Sequence, residues 1–335
     1  MSVQALIQIT DRSQVGEARR TAAELTKTLG FDDTGAGNVA LAVNESATNL
    51  IKHAGGGTLL LRTLQRDRTG GIELLALDRG PGMNVTTSLR DGHSTSGSMG
   101  TGLGALRRLA GAMQVYSEPG KGTVLWLEFW ARSPAPTGAS ALRVGGVCLP
   151  KSGEVVSGDA WGIECKGAYC SVLVADGLGH GSDAARASRA AVAALTAQPE
   201  AEPGELLARA HGSLATTRGA AVAAARINIG DGRGKFAGIG NIVARIESAS
   251  AHKQLVSHSG IVGHSVRKVQ EFSFNFPSDA IMILHSDGLA GHWTLADHPG
   301  LMAKHPAVIA GLLYRDHSRG RDDVTVVVIK TGEGA

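Results

Sequence analysis

A chain of 335 residues is longer than one ordinary domain and suggests about two. Its 43% hydrophobic and 19% charged content excludes wholesale disorder and a multi-span membrane protein. The 33 basic and 30 acidic residues are spread evenly, so no basic face advertises a nucleic-acid partner.

Glycine is abundant, 46 residues without a collagen-like period, which points to turns and close backbone approaches to ligands. Cys148, Cys165 and Cys170 form no CxxC or zinc pattern, and reduced structural thiols are expected. The start, Met1-Ser2-Val3-Gln4, lacks a basic segment followed by an apolar one, and no run reaches about 18 apolar residues. A soluble, cytoplasmic protein without a membrane partner is the expectation.

In chain order, residues 14–29 and 36–54 carry apolar positions at helical spacing, and 58–64 and 72–78 read as strands. A helix near 103–110 and a strand at 124–130 close this region, an α/β sandwich with one sheet face covered. The uncharged Pro/Gly/Ser/Ala stretch 133–140 reads as a linker between domains at 1–132 and 141–335. Beyond it, strand-like runs occur at 155–158, 171–175, 221–229, 243–247, 280–285 and 324–329. Helical patterns lie at 184–195, 205–215 and 303–314. That order predicts α+β with mostly antiparallel pairing.

Three motifs of the first region carry chemistry. In the helix 36–54, Glu45, Asn49 and Lys52 or His53 share one face, either as a site or as an exposed polar face. Asp78-Arg79-Gly80-Pro81-Gly82 follows an apolar strand, so Asp78 stands where it can accept from a base amine, or simply begins a tight turn. Gly97-Ser98-Met99-Gly100-Thr101-Gly102-Leu103-Gly104 leads into a helix whose first N–H groups suit phosphate oxygens.

Together and in this order, these motifs resemble the Bergerat (GHKL) ATP-binding fold, and within it the small serine kinases of partner-switching systems, the RsbT type, over about residues 10–130. Residues 91–97 are similar to the nucleotide lid of that type. The resemblance implies that Asn49 holds Mg²⁺, Glu45 is the general base and Asp78 reads adenine. Lys52, Gly80, Gly82, Gly100, Thr101, Gly102, Leu103 and Gly104 would complete the ATP pocket.

In the second region Asp159, Asp176, Asp287 and the Asp322-Asp323 pair sit at turns beside apolar strands, which would deliver carboxylates to one rim of a sheet sandwich. Oxygen ligands of this kind suit Mg²⁺ or Mn²⁺, although any single Asp-Gly is ordinarily a turn. The series resembles the metal-dependent serine/threonine phosphatases of the SpoIIE group, the RsbX type in particular, over about residues 143–330. By that resemblance Asp176 bridges two ions, the Gly177 carbonyl helps hold one, Asp287 and Asp322 complete the other, and Asp159 lies by the second. Asp323 is the alternative to Asp322. Ten of the twelve histidines fall here without a zinc spacing and are expected in exposed loops, while His180 either meets the substrate phosphate or merely shapes its loop. Trp126, Trp130, Trp161 and Trp293 read as packing anchors.

The expectation is therefore α+β in two domains, a Bergerat-type ATPase sandwich followed by a PPM-type β-sandwich flanked by helices. The resemblances imply a bifunctional serine/threonine kinase and phosphatase acting on STAS-domain regulators, with a downstream sigma-factor regulator as a further partner. ATP and Mg²⁺ would serve the first domain and two Mn²⁺ or Mg²⁺ ions the second. The alternatives are a phosphatase whose first domain only senses nucleotide or docks a partner, and a non-enzymatic switching module. Intact Glu45 and Asn49 stand against the former, and intact Asp176, Asp287 and Asp322 against the latter.

Overall fold

The computed structural model describes residues 4–66, 68–85, 102–132, 142–248 and 252–332. The expected phosphate-loop residues Gly100 and Thr101, the lid segment 91–97 and the linker 133–140 lie outside the described residues. Contacts divide the chain into two compact units, Met1–Gly138 and Ala139–Ala335. Among the described residues no helix is long and apolar enough to cross a membrane.

The first unit runs β1 (Gln4–Ile9), α1 (Arg12–Thr28), α2 (Asp33–Ala54), β2 (Gly57–Arg66), β3 (Thr69–Asp78), α3 (Gly102–Leu109), β4 (Ala112–Ser117) and β5 (Thr123–Trp130). Its sheet has the order β1-β2-β3-β5-β4, antiparallel at every pair. Caps written in the sequence fix both long helices. Asp11 and Gln14 form a capping box on α1, and Asp32 accepts from Gly35 N–H at the start of α2, which ends on Gly55 in the left-handed region. Val39, Val43, Ala47 and Leu50 of α2 pack with Leu59, Leu61, Ile72, Leu74 and Leu127 of the sheet. That leaves Glu45 and Asn49 on a partly open side of the same helix.

On the other face of this sheet, Arg62 and Glu73 are register partners on β2 and β3. Arg62 Nε donates to Glu73 Oε1 at 2.8 Å and Trp126 Nε1 to Glu73 Oε2 at 3.0 Å, all buried. A buried charge is tolerated because it is paired and hydrogen-bonded.

The second unit contains β6 (Leu142–Leu149), β7 (Asp159–Lys166), β8 (Tyr169–Gly177), α4 (Gly181–Ala197), α5 (Pro203–Leu214), β9 (Ala220–Asn228), β10 (Arg233–Ile239), β11 (Val243–Glu247), β12 (His252–Leu255), β13 (Phe272–Asn275), β14 (Ile281–His285), α6 (Pro306–His317) and β15 (Val324–Thr331). Two five-stranded sheets, β13-β10-β9-β8-β7 and β12-β11-β14-β15-β6, face each other. Val172 and Val174 meet Met282, Leu284 and Val327 between them. Helices α4 and α5 cover the outer face of the first sheet and α6 that of the second. This is the two-domain α+β architecture that the element order predicts.

Three expectations are corrected. Residues 155–158 are not a strand: Val155 is 93% exposed and the chain bends there before β7 begins at Asp159. Cys165 and Cys170 are not free thiols but a disulfide, because hairpin register makes them partners across β7 and β8. Cys148 alone remains a thiol, and burial pushes its pKa up to about 12, which keeps it inert. Nor are all the histidines in exposed loops, since His285 is buried in β14, where burial holds it down to about 4 and therefore neutral. Trp126 and Trp293 are buried and Trp161 packs on the inter-sheet core, as anchors should.

Replacing Glu73 by Ala removes the carboxylate that accepts from both Arg62 and Trp126 in the buried far face of the first unit. The expected loss is about 3–5 kcal/mol of unfolding free energy, read by denaturant titration of the full chain, with the second unit's transition unmoved.

Candidate active sites

In the first unit, α2 and the start of α3 converge. A β-carbon on Gly102 would lie 3.0 Å from Glu45 Oε1 and 3.7 Å from Asn49 Nδ2. The close of the glycine-rich segment thus lies directly against the carboxylate and amide one helical turn apart on α2. Leu103 and Gly104 follow in the first turn of α3, and Lys52 stands exposed in the last turn of α2.

Asp78 ends β3, and its Oδ1 accepts from Gly80 N–H at 2.8 Å and from Thr123 N–H at 3.2 Å. Two backbone donors fix the carboxylate at the strand end. Gly80 packs on Ala54 at the end of α2, and Gly82 takes φ +66°, where a side chain would run into the Glu118 carbonyl. Strand end, turn and helix face therefore share one side of the sheet. Converting Asp78 to Asn removes one anionic acceptor at this position. The expected result is ATP affinity weakened by about 1–3 kcal/mol, measured by titration calorimetry, with hydrolysis of a small phosphoester by the second unit unchanged.

In the second unit the carboxylates come from strand ends. Asp159 opens β7 and Asp176 closes β8 as its register partner. Asp287 lies two residues beyond β14, and Asp322-Asp323 immediately precede β15. Because β7 with β8 and β14 with β15 run antiparallel, all of these ends fall at one mouth of the sandwich. Asp176, Val174, Val172 and Cys170 form one row, with the last three in the inter-sheet core, so Asp176 ends a core-facing row.

Asp176, Asp287 and Asp322 line a cavity of about 630 Å³, together with Lys151, His180, Asn241 and Arg321. Asp159 lies beneath it, nearly inaccessible, its Oδ2 accepting from Ser286 Oγ at 2.6 Å. Asn241 Nδ2 donates to Asp287 Oδ2 at 2.7 Å. Asp323, the alternative to Asp322, is buried and accepts from Lys151 N–H at 2.8 Å, so Asp322 is the carboxylate of the cavity. Gly177 is pressed against α4, where a β-carbon would meet the Ala184 carbonyl. His180 Nδ1 pairs with Glu154 Oε1 at 2.6 Å at the cavity rim.

Electrostatics say what such a cavity lacks. Burial raises the pKa of Asp159, and burial together with the charges of Asp159, Asp287, Asp322 and Asp323 raises that of Asp176. Asp159 Oδ1 and Asp323 Oδ2 are buried without a hydrogen-bond partner. As placed, no three Asp, Glu, His or Cys side chains among the described residues stand close enough together to hold a metal ion. Orphaned carboxylate oxygens among like charges fit hard divalent cations, which Asp176, Asp287, Asp322 and, from below, Asp159 would hold. When bound, such ions supply an activated water and neutralise phosphoryl charge.

Sequence reasoning missed Lys151, Glu154 and Ser286. No motif marks them, and only the meeting of β6, β7 and β14 at one mouth brings them to the site.

Comparison with known proteins follows this division. Residues 9–129 match the model of the histidine kinase-like ATPase domain, and residues 166–332 that of stage II sporulation protein E (SpoIIE). The serine/threonine-protein kinase RsbT of Bacillus subtilis (strain 168) is 29% identical over 133 residues, 39% of this chain and 100% of that protein. A chain solved in work on the bacterial stressosome, a modular system adapted to control secondary messenger signalling, is 28% identical with a TM-score of 0.53, covering 56% of this chain and 99% of its own. RsbX in complex with magnesium shares the fold at 18% identity and a TM-score of 0.50, over 66% of this chain and 100% of that one. The chain therefore joins a histidine kinase-like ATPase domain to a SpoIIE-type domain.

The raised pKa values of the metal-free site carry a sign. A carboxylate with a raised native pKa binds more protons folded than unfolded, so its contribution is complete below the ordinary carboxylate range and lost as pH rises. With chelator present, the melting temperature of the second unit is expected to fall as pH climbs from about 5 to about 9. Mn²⁺ should flatten that fall, and so should Asp176→Asn. A chelated wild type with a flat profile would contradict the arrangement.

Proposed function

We propose that the protein is a bifunctional partner-switching enzyme that phosphorylates and dephosphorylates serine or threonine on STAS-domain regulators in the cytoplasm, upstream of a sigma-factor regulator. The reading divides the chain into a kinase domain at 1–132, a linker at 133–140 and a phosphatase domain at 141–335. The observation that carries it is the presence of two separate constellations in one chain: Glu45 and Asn49 against Gly102, and three carboxylates around one cavity. The likeness to RsbT and to a stressosome-associated chain supplies the class of partner.

In the kinase half, Asp78 would take the adenine amine of ATP, the glycine-rich residues up to Gly104 would receive its phosphates, and Asn49 would hold Mg²⁺. Glu45 accepts the proton of the acceptor hydroxyl, since phosphoryl transfer needs mainly positioning and charge stabilisation. In the phosphatase half, Asp176, the Gly177 carbonyl, Asp287, Asp322 and Asp159 would hold two Mn²⁺ or Mg²⁺ ions, which would supply an activated water. Asn241 orients the Asp287 carboxylate through its amide, and Ser286 holds Asp159 in place.

With only eight residues, 133–140, between the domains, a partner bound by one would meet the other at an effective concentration on the order of millimolar. Running both activities at once on one site would only consume ATP, so the two act on different phosphosites or are engaged in turn. The test is phosphosite mapping by mass spectrometry on neighbouring STAS proteins incubated with wild type, Glu45→Ala and Asp176→Asn. Asp176→Asn should accumulate more phosphate than wild type, and Glu45→Ala should strip phosphate from a pre-phosphorylated partner. If only the stripping occurs, the protein is a phosphatase with a nucleotide-sensing domain. If neither occurs, it is not an enzyme of this pair.

A further inference from the structure

The acidic cavity holds two cations that its carboxylates do not consume. Lys151 follows β6, and its N–H donates to Asp323 Oδ1 at 2.8 Å, which ties its backbone to the buried floor of the site. Arg321 directly precedes Asp322. Both side chains line the cavity beside Asp176, Asp287 and Asp322. Yet neither forms an ion pair among the described residues, whereas Arg218 nearby takes Asp183 at 3.0 Å and Arg226 takes Glu202.

Two cations and three carboxylates that line one cavity without pairing to each other leave room for a third body among them. The other anion-attracting feature at this mouth, the start of α4, is already served. Glu154 accepts from His180, and its carboxylate lies 3.1 Å from where a Gly181 β-carbon would stand. An incoming phosphate would meet a like charge there and a free positive charge at Lys151.

On the phosphatase reading, we propose that Lys151 grips the phosphoryl group of the substrate inside the cavity that the carboxylates line, while Arg321 draws the phosphoprotein to the cavity mouth. The two cations differ in setting. Lys151 is half-buried and its backbone is anchored, so its contact with a phosphate oxygen is short-ranged and little screened. Arg321 is exposed, so its attraction is long-ranged and weakened by salt.

The experiment uses the full chain with Mn²⁺, a phosphoserine peptide as substrate and inorganic phosphate as the binding probe. Lys151→Ala should raise KM and weaken calorimetric phosphate binding on the order of 10- to 100-fold, the range of a lost charge-assisted hydrogen bond. Mn²⁺ affinity should stay at the wild-type value, and Lys151→Arg should recover most of the loss. Arg321→Ala should raise KM only about threefold, an effect that disappears at high salt. Lys151→Met, which keeps the aliphatic stem, carries the same readouts should the alanine variant unfold. A Lys151→Ala protein with KM and phosphate affinity within about twofold of wild type overturns the proposal, as does one that loses Mn²⁺ in parallel. A wild type without Mn²⁺-dependent turnover instead sinks the phosphatase reading, and this proposal with it.

Discussion

Mutual repulsion among Asp159, Asp176, Asp287 and Asp322 is the constraint around which the second unit is arranged. Carboxylates crowded at one end of two sheets would spread apart, and only a rigid frame keeps them together without a cation. Two sheets packed through Val172, Val174, Met282, Leu284 and Val327 provide that frame, because close-packed interiors deform little. Ser286 and Asn241 each supply a donor to one carboxylate, while Asp159 Oδ1 and Asp323 Oδ2 are buried without one. Such a site is strained while empty of positive charge, which is what makes it a strong receptor for positive charge.

The first unit solves a different problem. Its polar residues sit on the partly open side of α2, so Glu45 and Asn49 cost little to keep in the folded state, and the burden falls on the backbone. Gly80 against Ala54, and Gly82 against the Glu118 carbonyl, are close approaches that a side chain would block. The deeply buried charges of this unit, Arg62 and Glu73, neutralise one another on the face of the sheet away from α2 and its Glu45 and Asn49. One unit therefore concentrates uncompensated charge and the other concentrates conformational permission, in keeping with a pocket for metal and a pocket for phosphates.

Much of this was legible because it is local. Caps at Asp11, Asp32 and Gly55 mark helix ends by residue type alone, and the apolar strands before Asp78, Asp176 and Asp287 announce themselves by composition. The resemblance alone prefers Asp322 to Asp323, and only three dimensions show how two adjacent identical residues differ, Asp322 lining the cavity and Asp323 buried on the Lys151 N–H. Strand β7 was hidden because Gly162, Glu164 and Lys166 interrupt its apolar pattern. The edge strands β12 and β13 are too short and polar to stand out. Lys151, Glu154 and Ser286 reach the cavity through long-range pairing, and no spacing rule encodes that.

The hairpin of β7 and β8 carries its two cysteines and its two acids at opposite ends of one ladder, Cys165 opposite Cys170 and Asp159 opposite Asp176. Side chains on a strand alternate between faces, so sliding one strand by a single residue would turn one aspartate away from its partner and into the helix layer. The covalent bond between the cysteines forbids that slide, for it can close only in the register that also sets the two aspartates side by side. A link far from the chemistry thus works as an index pin, and the alignment of the acidic pair is decided at the other end of the ladder.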